Sequence, residues 1–184
     1  MDYLSFACRC LVGLVCGVSV IGKLRGRTAF REFAGTTRVL LIAAFPIGAI
    51  SHAAARVVGG VVVAAEASVV LLLLVPGAGW IGLGLAVVLM AAFGYGIAAT
   101  VRRGVRTSCR CFGASSTPLG TRHLVRNACL FLVAATGLLI GPVGSADPAG
   151  LAVAGAAAAV IALLVVRLDD VIDLFTPQLP MRRT

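Results

Sequence analysis

VVGGVVVAAEASVVLLLLVPGAGWIGLGLAVVLMAAFGYGIAAT, residues 57–100, is the stretch whose reading decides the fold. It consists of two apolar runs, Val57 to Val75 and Trp80 to Thr100, on either side of Pro76-Gly77-Ala78-Gly79. Each run has about the ~20 residues a helix needs to cross the hydrocarbon core of a bilayer. The Pro-Gly cluster between them allows only a tight turn, and Trp80 suits the interface, where aromatic belts lie. Glu66 falls near the middle of the first run.

Working outward, the same pattern repeats. Tyr3 to Gly22 is apolar and is followed, not preceded, by Lys23, Arg25 and Arg27. A signal peptide has the opposite order, so this run reads as a retained first span. Further apolar runs cover residues 127–143, ended by Gly141-Pro142, and residues 149–166. The segment 28–55 is less regular. Phe30 and Phe33 beside arginines suggest a short interfacial helix with its aromatics toward lipid, and residues 39–55, broken by Pro46, are short enough to be interfacial or re-entrant. The expectation is an all-α polytopic transmembrane bundle of about five spans: 3–22, 57–75, 80–100, 127–143 and 149–166. These form one transmembrane domain over 1–168, with an interfacial segment at 28–55 and a polar tail at 169–184.

Composition agrees. The 184 residues are 60% hydrophobic and 12% charged, against roughly 25% charged in soluble domains. So much apolar surface needs lipid to cover it. The 22 glycines suit close helix packing in membranes. The net charge of +9 sits in short loops and lacks the exposed aromatics that single-strand binders interleave with basic residues, so nucleic acid is not an expected partner. With five spans, segments 23–56 and 101–126 carry six Lys/Arg each and the tail three, while the opposite side carries none. The positive-inside rule then places the N-terminus outside and the C-terminus inside. A sixth span within 39–55 would destroy that bias.

The sharpest chemical signal is Cys109-Arg110-Cys111-Phe112-Gly113. A disulfide between residues i and i+2 is strained, and strained disulfides are labile rather than structural. Arg106 and Arg110 would stabilise a thiolate and raise its reactive fraction. The bland alternative is a pair of unpaired membrane-facing thiols or half of a metal site; no metal centre is expected. Cys8-Arg9-Cys10 forms a second pair, but on a helix its two side chains point about 200° apart. Cys16, between Gly13 and Gly17, reads as packing, and Cys129 as a possible resolving thiol. Glu66 costs about 2.5–3.5 kcal/mol at mid-bilayer on insertion scales. It therefore reads either as a proton or quinone site or as a hydrogen-bonded tie between helices, with Arg9 as a candidate partner. His52 and His123 read as interfacial loop residues.

Gly22-Lys23-Leu24, Phe30, Phe33, Glu66, Cys109-x-Cys111-Phe112-Gly113 and Arg126-Asn127 together resemble the MauE-type methylamine utilisation membrane proteins, of the MauE/DoxX-like group. The features are spread over residues 15–140. The resemblance implies a four-helix DoxX-like core plus a C-terminal helix in the cytoplasmic (inner) membrane of a bacterium. It further implies a redox role for Cys109 and Cys111 in maturing methylamine dehydrogenase, with a thioredoxin-like exported protein and a disulfide-containing client as partners. Whether a cofactor is needed is open, a quinone being one candidate. The charge count puts the pair on the cytoplasmic side, where thiols are kept reduced. The rival readings are a non-catalytic membrane scaffold for an exported partner and a Glu66-dependent small-solute carrier; the short chain shows no internal repeat of the transporter kind.

Overall fold

The structure, a computed structural model, describes residues 1–45, 49–105, 120–142, 144 and 146–168. They form six helices: α1 (Asp2–Leu24), α2 (Arg27–Ala44), α3 (His52–Leu74), α4 (Gly79–Arg102), α5 (Thr121–Ile140) and α6 (Pro148–Val166). No strand occurs among the described residues. All except α2 are long and apolar enough to cross a membrane. The chain is an all-helical, multi-pass membrane bundle.

Local chemistry sets the helix boundaries. Ser51 caps α3, its hydroxyl accepting from the Ala54 amide at 3.1 Å. Asp147 caps α6 in the same way, accepting from the Gly150 amide at 3.1 Å, and Pro148 follows where a missing N–H does no harm. The α3–α4 reversal depends on Gly77, whose φ of +82° is a left-handed conformation that strains any residue with a Cβ. α5 stops at Gly141, with φ +91°, immediately before Pro142.

α1 is the axis of the bundle and packs against all five other helices. Its buried residues, Ser5, Cys8, Leu11, Val12, Val15, Cys16, Ser19 and Lys23, recur at three- and four-residue steps, so a single wide stripe meets the neighbours. Val69, Leu83, Ala86, Leu130 and Ala134 complete the main core around it. α1 and α5 approach closely because Gly137 has no side chain: a Cβ there would lie 2.8 Å from Cβ of Cys8. α6 rests chiefly on α1 and buries little beyond Ala158 and Ala162. Large apolar side chains such as Val61, Leu71, Val88, Leu139 and Val153 point outward, where only lipid can cover them without penalty.

Three expectations are corrected here. α2 is longer than the short helix expected. It runs for 18 residues and takes in 39–44, ending only where Phe45 turns extended (φ −117°, ψ 132°), as the residue before a proline must. Its aromatics are also not both turned to lipid. Phe33 is buried at 1% exposure, because Phe33, Ala34, Thr37 and Leu40 form the inward face while Arg27, Arg31 and Glu32 are exposed. α5 starts at Thr121, six residues ahead of the expected span, so His123 and Arg126 belong to a helix rather than a loop.

Candidate functional site, a buried ion pair in a polar chamber

Ser19 and Lys23 lie four residues apart on α1 and therefore on one face. Both point at α3, where Glu66 meets them. The Lys23 ammonium sits 2.6 Å from each carboxylate oxygen, and the Ser19 hydroxyl is 3.3 Å from both. Lys23 is 2% exposed and Glu66 4%, so this is a fully desolvated pair. At such burial, the attraction compensates desolvation only with good geometry and further hydrogen bonds, and the two oxygens have both. A second neutralising contact comes from α2: the Phe33 ring lies under the ammonium, 4.3 Å from Nζ to the centroid, with the Phe93 ring of α4 at 5.6 Å. Both distances fall within cation–π range.

Beside the pair is a cavity of about 40 Å³, bounded by α1 and α3 on one side and by α4 and α5 on the other. From α5, His123, Arg126 and Asn127 line it. His123 is 4% and Arg126 8% exposed, and the Arg126 guanidinium donates to Nδ1 of His123 at 3.4 Å. Asn127 donates to the Met90 carbonyl of α4 at 2.5 Å. That bond fits beneath Gly94, where a Cβ would come within 3.1 Å of the amide nitrogen. The chamber thus gathers two cations, a carboxylate, an imidazole and an amide near the end of the bundle where α4 finishes and α5 begins.

The other candidate residues fall elsewhere. Arg9 does not reach Glu66. Its guanidinium lies against Gly79 at the opposite end of the bundle, donating to the Gly141 carbonyl at 3.5 Å, with Nε buried and without a hydrogen-bond partner among the described residues. Among the described residues, Cys8, Cys10, Cys16 and Cys129 are free thiols. Cys8 and Cys16 are packed in the bundle, Cys10 is half-buried beside Arg9, and Cys129 is exposed on the outer face of α5. Gly17 does not form a tight helix contact, since a Cβ there would meet nothing within 4 Å. Cys109, Cys111, Arg106 and Arg110 lie outside the described residues; the segment that holds them joins α4 to α5.

Reading the sequence missed Lys23, His123 and Arg126 as members of one site. The signal was present but misassigned: all three are polar residues at the edge of apolar runs, and a hydropathy reading puts such residues in loops. His123 in particular is corrected from an interfacial loop residue to a buried one.

Fold and site together define a multi-pass helical membrane protein with a charged chamber lined by four spans. The family of the methylamine utilisation protein MauE matches residues 1–140, and the chain belongs to that family. The matched stretch ends at the last residue of α5, so the chamber lies wholly within it and α6 wholly outside. Neither the curated proteins nor the solved structures provide a further match.

Proposed function

We propose that this chain is a membrane factor for methylamine dehydrogenase maturation, acting by thiol–disulfide exchange through Cys109 and Cys111. The observation that carries the reading is the family match, which spans the Cys109-x-Cys111 segment together with α1 to α5. In the exchange, a thiolate from this pair attacks one sulfur of a client disulfide and displaces the other as a thiolate. The second cysteine then attacks the mixed disulfide, so the pair ends oxidised and the client reduced, or the reverse when the pair starts as a disulfide. Electrons and atoms balance between the two partners. Arg106 and Arg110 lower the thiolate's energy by charge proximity. The membrane in question is the bacterial cytoplasmic one, with the α4–α5 segment on the basic, cytoplasmic side.

The test is complementation of a strain lacking this chain, alongside trapping. Cys109→Ser and Cys111→Ser each abolish production of active dehydrogenase, and one of them accumulates a client-linked disulfide on non-reducing gels. Full activity in both variants would leave only the scaffold reading.

A further inference from the structure

We propose that the Glu66 chamber is a proton-exchange site. In it, Glu66 alternates between a carboxylate paired with Lys23 and a neutral acid, and the Lys23 ammonium is held by the Phe33 and Phe93 rings when the pair opens.

An ion pair used only as a structural tie needs one geometry. This one has provisions for two. If Glu66 takes a proton, Lys23 loses its counter-charge inside the bundle, an arrangement that strands a buried cation. Here the ammonium already lies 4.3 Å from the Phe33 centroid and 5.6 Å from that of Phe93, so the ring faces remain as electrostatic partners. Ser19 serves both states as well. Its hydroxyl, 3.3 Å from each carboxylate oxygen, donates to the ionised form and accepts from the protonated one.

The cavity supplies the route. At about 40 Å³ it has space for roughly three waters, each needing about 10–15 Å³ and two or more polar partners. Lys23, Glu66, His123 and Asn127 provide those partners along its wall. An aromatic ring needs far more room, since an engineered cavity of about 150 Å³ is what holds benzene. The occupant that fits Glu66 is therefore water carrying protons, not a quinone ring. Among the described residues, the titratable and charged groups that face Glu66 are Cys16 and Lys23 from α1 and, across the cavity, His123 and Arg126 from α5. α2 and α4 present Phe33, Met90 and Phe93, none of which titrates. The step balances simply: one proton from the chamber water joins the carboxylate, Lys23 keeps its charge, and the pair goes from neutral to singly positive.

This inference goes beyond the thiol reading and stands without it. Its use to that chemistry is plain, since thiol exchange takes up and releases protons, and the cysteine segment is tethered to α4 and α5, two of the chamber's walls.

The test uses the full chain in lipid nanodiscs and a hydrophobic carbodiimide, which adds only to a protonated carboxyl. Labelling at Glu66, located by peptide mass, should rise several-fold from alkaline to acidic buffer. Lys23→Met should label several-fold faster at neutral pH, and Glu66→Gln not at all. The Cys109→Ser, Cys111→Ser double variant should label like the parent, so failure of the thiol reading leaves this result intact. An unlabelled parent at every pH beside a labelled Lys23→Met chain would overturn the proposal, because the reagent then reaches a glutamate that never takes a proton. Labelling of the parent that ignores pH would overturn it too. Where neither chain labels, the acid-minus-alkaline infrared spectrum decides: a protonated-carboxyl stretch that Glu66→Gln removes supports exchange, and its absence refutes it.

Discussion

Replacing Lys23 with Met keeps most of the side chain's length and removes only the charge. The structure then leaves Glu66 at 4% exposure with the Ser19 hydroxyl in place of an ammonium 2.6 Å from both oxygens. Breaking a buried pair by deleting one partner costs about 3–5 kcal/mol. Because a protein carboxylate can take a proton instead of staying charged, the lower end, about 3 kcal/mol, is expected. Loss of the cation–π contacts, each about 0.5–2 kcal/mol, is contained in that figure. The double variant Lys23→Met, Glu66→Leu removes both charges and fills the site with apolar volume, a replacement that is often neutral. The coupling between the two positions, the double loss minus the sum of the two single losses, should therefore be at least about 3 kcal/mol in magnitude, well above the ~0.5 kcal/mol within which independent sites add. Reversible unfolding by dodecyl sulfate in mixed micelles, followed through the single tryptophan, Trp80, measures all four chains of the cycle. If the double variant loses the sum of the two single losses, the pair is not an energetic unit and the reasoning about the chamber fails.

Three further outcomes follow from other contacts. Phe33→Leu keeps an apolar side chain under Lys23 but removes the ring face, and should lower stability by about 0.5–2 kcal/mol in the parent and by measurably less once Lys23 is Met; equal losses in both backgrounds would deny the ring its electrostatic role. Gly137→Ala places a Cβ 2.8 Å from that of Cys8 and should destabilise by about 1–3 kcal/mol, with Cys8→Gly restoring most of it; no rescue would show that α1 and α5 are not held apart at this point. On single-cysteine chains in intact cells, a membrane-impermeant maleimide should miss Cys111 until the membrane is opened, whereas labelling from outside would reverse the orientation drawn from the basic loops.

The elements show which parts of this molecule can be read directly from residue order. The helices α1, α4 and α6 begin and end within two residues of their apolar runs, and α3 starts five residues before its run, because each run is of membrane length and bounded by Pro, Gly or charge, and such a run has one low-energy state in lipid. α2 was read too short and the start of α5 too late, for one shared reason. Hydropathy assigns polar residues to water, and Thr36, Thr37, His123 and Arg126 are polar residues that the bundle buries. Glu66 stood out by itself as a charge in an apolar run, and its need for a partner followed from desolvation alone. Which partner it has did not. Arg9 and Lys23 are both on α1, and only the way α1 packs on α3 turns Lys23 toward the carboxylate and Arg9 toward Gly141. The sequence by itself therefore determined a membrane bundle and the presence of a costly buried acid. Tertiary structure decided that this acid shares a chamber with Lys23 and His123, because residues 43 positions or more apart along the chain meet only through the packing of helices whose apolar stripes do not record their neighbours.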